Sequence, residues 1–493
     1  SDSRQLRDVS GYGKRSWEEL KEWGTSGRVD FYWVIPPEWV KDTIFQEGNY
    51  LFGDWKLPKA SSGLGYSFKE RSFTVERFGY NSAYKKSPFY PDSNYSFVED
   101  LRSAEYLDTA LVSGQESFFT SPNSWDEFKY SELVLSNYVD LGWGFKSFNI
   151  PFYFNGGGRF ELLQLDFEGP YTGDVEGDKR PEDVQISLLE WDFFPAFSMD
   201  LELIPKLKTR FLWSRTKVRP SIREVSPFTS FNFETGDIEE GNPDLKVAEI
   251  DNYDARMDYF LPFNQLLSFS LFYKSFENPI EATRRDGGGG NLTKTWINAK
   301  GATVKGMEGE IDLKLNKVMN TAWLNGWSLY NNVAWIHSVV NIDPFSSPAA
   351  RQLTSFDRPM VGQSPYLLNF KLSYEVELSN QMKFLSAMLY NKFGERLKEV
   401  GQDDLPDTWE KPFVSLDYLL KYSWNNFVVN FKVKNLLNSE KIIVAREFNH
   451  TKKYNIIDPV TSKAYYSVID DFQEEYVVAK VRNGTSYSLS MSY

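Results

Sequence analysis

A chain of 493 residues with no cysteine and a formal net charge of −13 has neither disulfides nor thiolate metal sites, and it lacks the basic stripe that a nucleic-acid partner requires. No apolar run approaches the roughly 18 residues of a spanning helix, so any passage through a membrane has to be made by closed strands. Aromatic residues at 17% beside charged residues at 25% suit an outer-membrane barrel, whose rings gather in girdles, better than the alternative of a secreted β-sandwich.

In chain order, residues 1–60 are the least legible part. Ser1 to Val9 carry no signal-peptide pattern. Trp17–Trp23 reads as a short helix in a loop and Val29–Ile35 as a strand. A long polar connection is expected from Phe78 to Lys129, and Gly156-Gly157-Gly158 reads as a turn or bulge between aromatic segments. Pro220 to Leu245 is a second long polar connection.

Strict alternation then sets in. Leu267, Phe269, Leu271 and Tyr273 oppose Ser268, Ser270, Phe272 and Lys274, and Met307, Ile311, Leu313 and Leu315 alternate with Glu308, Glu310, Asp312 and Lys314. The same period governs Leu368–Val376, Val414–Ser423 and Phe427–Lys434. Runs of about eight to ten residues match what a tilted strand needs to cross the hydrocarbon layer. The opposite faces carry full charges, which a dry core does not tolerate but a wet lumen does. Asp254, Arg256, Asp258, Glu308, Glu310 and Asp312 are therefore expected to face a lumen, as a charge ladder that hydrates the wall.

Chemistry motifs are few. His337 and His450 are the two histidines, and His337 follows the run Trp327, Leu329, Val333, Trp335 as an interface residue. Gly287–Gly290 has no following Lys-Ser/Thr and reads as a flexible loop rather than a phosphate cradle. The pairs Asp403-Asp404 and Asp470-Asp471 have the hard oxygens that calcium takes, but they match no EF-hand spacing and read as solvated charge. No metal site, cofactor site or catalytic residue is expected, and the chain is not read as an enzyme.

Trp424-Asn425-Asn426 is a tight turn, Asn438 to Val481 a long external loop, and Thr485–Tyr493 a last strand with Ser486, Ser488, Ser490 and Ser492 on one face. Its terminal Tyr493 has the form of an insertion signal. The fold class is all-β: a transmembrane antiparallel β-barrel of about sixteen strands with long external loops.

A series of phrases carries a resemblance. Arg219-Pro220-Ser221-Ile222-Arg223-Glu224-Val225-Ser226-Pro227-Phe228 is followed by Gly241-Asn242-Pro243-Asp244-Leu245-Lys246, then Asn252-Tyr253-Asp254 and Phe272-Tyr273-Lys274. Asn278-Pro279-Ile280-Glu281, Gly362-Gln363-Ser364-Pro365-Tyr366, Asn391–Arg396 and Asn435-Leu436-Leu437-Asn438 complete it. In this order they resemble the TonB-dependent outer-membrane receptors of the Bacteroidota, over residues 61–493. The resemblance implies a barrel of about 22 strands around an N-terminal plug. It also implies import of a glycan, peptide or metal chelate, energised by the TonB complex. The plug, the TonB box and about six strands are expected to lie outside this sequence. A surface lipoprotein lid of the SusD type is a further partner that the resemblance suggests. The competing reading is a structural or secretion-associated barrel subunit.

Overall fold

A computed structural model of the chain describes residues 3–9, 14–34, 59–82, 116–121, 127–148, 150–170, 183–226, 229–231, 238–286, 292–342, 353, 355, 357–379, 381–402, 405–448, 452–457, 464–468 and 472–493. In chain order its strands are β1 (Ser3–Val9), β2 (Lys14–Val34), β3 (Lys59–Ser82), β4 (Glu116–Ser121), β5 (Glu127–Ser147), β6 (Ile150–Pro170), β7 (Asp183–Ile204) and β8 (Leu207–Val218). There follow β9 (Thr229–Phe231), β10 (Ile238–Glu240), β11 (Ala248–Leu261), β12 (Gln265–Glu277), β13 (Ile280–Asp286), β14 (Leu292–Asn298), β15 (Gly301–Lys314) and β16 (Trp327–Asn341). Then come β17 (Asp357–Arg358), β18 (Tyr366–Ser379), β19 (Met382–Phe393), β20 (Arg396–Gly401), β21 (Asp407–Glu410), β22 (Phe413–Trp424) and β23 (Phe427–Lys434). The last are β24 (Glu440–Phe448), β25 (Lys452–Ile457), β26 (Ala464–Val468), β27 (Phe472–Arg482) and β28 (Ser486–Ser492).

The main sheet counts 18 strands, three of them the short β1, β4 and β17. The other 15 form one antiparallel wall in up-and-down order. Neighbour to neighbour it runs β2–β3–β5–β6–β7–β8–β11–β12–β15–β16–β18–β19–β22–β23–β28. Tight turns join strands at one end, and Lys206, Phe263 with Asn264, and Asn425 take positive φ in them, a region that asparagine enters more readily than lysine or phenylalanine.

The wall is polarised opposite to a water-soluble sheet. Trp191 and Leu189 are 74% and 65% exposed on one face, while Asp192 and Glu161 are 3% and 7% exposed on the other. Large exposed rings beside sequestered carboxylates are what a sheet shows when lipid covers one side and protein or ordered water the other.

At the end away from the tight turns a second sheet of eight strands assembles in the order β27–β24–β21–β20–β13–β14–β10–β9. Its strands come from four separate connections, and β13–β20 and β10–β14 pair in parallel. Where it meets the wall, Ile297, Ala299, Val340, Ile342, Leu353, Leu397 and Val400 share a dry core.

Several expectations need correction. Trp17–Trp23 lies within β2, not a helix: Glu22 pairs with Arg71 and Lys69 of β3, and Trp23 meets Phe68 edge-on. Such cross-strand contacts outweigh the local helical spacing. Gly156–Gly158 is neither turn nor bulge but sits mid-strand in unbroken register. The Phe193 ring of β7 occupies the place where a Gly158 side chain would stand. The connections Pro220–Leu245 and Asn438–Val481 are not simple loops, because they supply β9, β10, β24 and β27. The span from Phe78 to Lys129 begins inside β3 and ends inside β5. His337 sits one rung beyond Trp335 on the apolar face. His450, Gly287–Gly290, Asp403-Asp404 and Asp470-Asp471 lie outside the described residues.

Candidate functional site

Three clusters of polar side chains sit on this frame, at successive heights above the tight turns. The lowest contains the predicted ladder. In register, Asp254 lies beside Phe272, Arg256 beside Ser270, and Asp258 beside Ser268. Glu308, Glu310 and Asp312 follow on β15, facing Ser270, Ser268 and Leu266. Arg256 Nε donates to Asp258 Oδ1 at 2.8 Å and its Nη2 to Glu310 Oε2 at 3.1 Å, while Ser268 Oγ donates to Asp258 at 2.7 Å. The alternation therefore placed all six on one face and brought Arg256, Asp258 and Glu310 into contact. Asp254, Glu308 and Asp312 share the face without joining that cluster.

The second cluster escaped the sequence reading. Pairing of β7 with β8 stops at Ala196 and Ser214, next to Pro195, which has no N–H to continue the ladder. Beyond that point side chains bridge the two strands. Arg219 Nη2 donates to Glu161 Oε2 at 2.8 Å and to Asp192 Oδ2 at 2.7 Å. Lys217 Nζ lies 2.6 Å from Asp192 Oδ1 and 2.9 Å from Glu249 Oε1. This strap of alternating charge ties the paired strands β6 and β7 to the paired strands β8 and β11 across the gap where β7 and β8 no longer pair. The one signal for it was Pro195 inside a strand-like run.

The third cluster anchors the outer sheet, and the phrases of the family series build it. Ile222–Val225 is a single helical turn closed by a capping box between Ser221 and Glu224. Asn242 N–H donates to Glu224 O at 2.6 Å and its Nδ2 to Trp296 O at 2.9 Å. Gly241 packs so tightly here that a Cβ would overlap the Ser226 carbonyl and lie 2.8 Å from Arg223 O, so only glycine fits without moving backbone. Gly362 N–H donates to Leu397 O at 2.7 Å, and Gln363 holds Ser338 and the Ile336 carbonyl of β16. Pro220 and Pro243 stand at the chain's two exits from these joints, beside Arg219 and Asn242.

Behind the joints is a buried polar core. Arg358 of the wall donates to Glu281 of β13 at 2.6 Å, each side chain 2% exposed. Asp407 accepts from Ser355 Oγ at 2.6 Å and from Gly401 N–H at 2.9 Å. Burial pushes its carboxyl above the usual carboxylate range, although both hydrogen bonds and the nearby Arg358 and Arg284 pull the other way. The sign follows. A raised value in the folded state gives stability that is complete below the ordinary carboxyl value of 3.8 and is lost as pH rises through the raised one. Asp407→Asn should remove that loss. Hydrogen exchange of β20 and β21 followed from acid to neutral pH should show the variant better protected than wild type at the neutral end and equal at the acid end. Parallel profiles would refute the assignment.

A family model described as TonB dependent receptor-like, beta-barrel, matches residues 2–436. The chain belongs to that family. Its members are outer-membrane proteins of Gram-negative bacteria. Among curated proteins the comparison returned no match. Among solved structures, the ferric yersiniabactin uptake receptor FyuA from Yersinia pestis is similar at 11% identity and a TM-score of 0.52. The match covers 100% of this chain and 57% of that one, so the chain spans a little over half of that receptor. A ferric enterobactin receptor from Pseudomonas aeruginosa gives 12% identity and a TM-score of 0.40, over 97% and 70% of the two chains. At 11% identity the likeness to FyuA concerns the fold alone. Within the receptor barrel, the series from Arg219 to Gln363 marks the joints between wall and outer sheet.

Proposed function

We propose that the chain forms the wall and outer cap of a TonB-dependent receptor of the Bacteroidota that imports a scarce or bulky nutrient across the outer membrane. One observation carries this reading: the connections at one end of an inside-out wall are not free loops but a sheet that shares a dry core with the wall. Loops that only link strands do not need a core, whereas a surface that must hold a ligand in fixed geometry does. The polar face of the wall, with Asp254, Arg256, Asp258, Glu308, Glu310 and Asp312, is the lumen side in this reading and faces a plug. Of residues 1–60, the described strands β1 and β2 belong to the same wall as the long strands of residues 61–493, and Tyr493 follows the strand that the insertion machinery recognises. The TonB complex supplies the energy through a segment outside this sequence, and a SusD-like surface lipoprotein is the natural lid if the nutrient is a glycan.

Growth of a receptor-deletion strain on single glycans, peptides and ferric chelates tests the proposal. Import predicts a defect on one class, restored by the intact gene. No defect on any class, with large partners copurifying stably, would favour the structural or secretion-associated barrel instead.

A further inference from the structure

We propose that the upper part of β7, from Asp183 to Trp191, is a docking edge that takes an extended segment of a surface partner protein as an added strand, with a basic residue between two apolar ones. β7 pairs with β6 along its whole length, up to the rung Asp183–Pro170. On its other side the ladder with β8 stops at Ala196, and β8 itself ends at Val218. Above the strap, one side of β7 thus has a rigid backing, and the other has no backbone partner among the described residues. That open stretch is about 30 Å long. It is also unguarded. The run Asp183-Val184-Gln185-Ile186-Ser187-Leu188-Leu189-Glu190-Trp191 contains neither lysine nor proline and keeps unbroken register on β6, without a bulge. Lysine, proline and bulges are the devices that keep edge strands from pairing with other chains.

Position and side chains define the occupant. The rung Phe197–Trp213–Tyr253–Tyr273 is aromatic throughout and marks the upper girdle. Trp191 lies six residues beyond Phe197, about 20 Å along the strand. The edge therefore stands in water above the hydrocarbon, where free N–H and C=O groups can be met by another strand. On its outer face Leu189 and Trp191 are 65% and 74% exposed. Between them, on the face that carries Asp192, Glu190 Oε2 is shut off from water without a hydrogen-bond partner. An added strand answers all three. Its residues opposite Leu189 and Trp191 cover the apolar groups, and the residue between them sets a cation beside the carboxylate. A second receptor does not fit. In the same membrane its β7 would run in the same direction at the same height, with Glu190 against Glu190. The inference rests on the outer-membrane placement alone, not on import.

The test uses the intact receptor in lipid nanodiscs with a short synthetic peptide of alternating valine and lysine, read by fluorescence anisotropy and hydrogen exchange. In the receptor alone, alternate amides from Asp183 to Trp191 should exchange freely, and the peptide should protect them. A peptide with glutamate in place of lysine should bind at least about tenfold more weakly. One methylated on alternate backbone nitrogens should not bind, because it cannot extend the ladder. Glu190→Gln, which keeps the shape of the side chain, should abolish the preference for lysine over glutamate. Trp191→Ser, at an exposed position, should weaken both peptides about tenfold. Heat-dependent gel migration reports whether each variant is folded. Absence of binding would overturn the proposal, as would equal binding of the methylated peptide. Full protection of the edge amides in the receptor alone would overturn it too, since its own chain or a second receptor would then hold the edge. Indifference of the folded Glu190→Gln variant to peptide charge would overturn the basic residue.

Discussion

Arg358→Ala should release the outer sheet from the wall while leaving the wall folded. Arg358 sits on β17, hydrogen-bonded to β16, and its side chain enters the outer sheet to meet Glu281. Both side chains are 2% exposed, so truncation leaves a carboxylate buried without its cation. Breaking such a pair on one side costs about 3–5 kcal/mol, several times the worth of an exposed ion pair. Val361 N–H also points toward Glu281 at 3.4 Å, and the chain from Arg358 to Gln363 carries the Gly362–Leu397 joint, so the loss should spread along β13 and β20. Hydrogen exchange and limited proteolysis should therefore show β13, β14 and β20 opening at least about 100-fold more often, with β18 and β19 unchanged. A companion double variant, Arg358→Met with Glu281→Leu, removes both charges and should recover much of the protection. If Arg358→Ala leaves the outer sheet as protected as wild type, the pair is not what holds it.

The two sheets differ in how much of them could be read from sequence, for a physical reason. Wall strands expose one face to lipid and one to water or protein, so their period of two appears directly in runs such as Leu267–Lys274 and Thr485–Tyr493. Strands of the outer sheet are covered on both sides near the joints. In β13 the neighbours Thr283 and Arg284, which point to opposite faces, are 0% and 7% exposed, and the alternation disappears. Their partners also come from distant parts of the chain, Thr283 pairing with Val400, so no local turn announces them. The same distinction holds for the polar clusters. Arg256, Asp258 and Glu310 alternate with Tyr253–Tyr259 and Met307–Ile311, and could be placed on one face from the pattern. Lys217 could not. By alternation it follows Phe211, Trp213 and Arg215, on the apolar face, yet it reaches Asp192 on the polar one. The backbone alternation of β8 continues, since Lys217 still pairs with Glu249 of β11, and it is the long side chain that crosses to Asp192 over the edge where β8 no longer pairs with β7. The series from Arg219 to Gln363 was legible as a resemblance, but its mechanical role in joining the sheets was not.

Asp192→Ala should open the wall along the line between β7 and β8. Asp192 is the acceptor for both Lys217 and Arg219, with its own side chain 1% exposed and those of its partners 16% and 26%. Its removal strands two cations against a face where water is scarce, a change again in the range of about 3–5 kcal/mol. Arg219 keeps Glu161 and Lys217 keeps Glu249, so the lower end of that range is the better expectation. From Ala196–Ser214 down to Glu202–Lys208 the backbone ladder is unbroken and needs no strap. The effect should therefore be one-sided: amides of the upper halves of β7 and β8 should exchange at least about 100-fold faster, while Met199–Leu201 and Thr209–Phe211 stay as in wild type. Asp192→Asn tests charge against geometry, since the amide still offers an oxygen to one donor but no longer neutralises either. It should open the same line to a smaller extent. Uniform acceleration across the whole wall would mean that Asp192 supports the fold at large, and no change at all would mean that β7 and β8 are held by contacts other than the strap. A localised response would place a controllable seam in an otherwise continuous ladder, directly below the outer sheet, with an arginine of the family series as its latch.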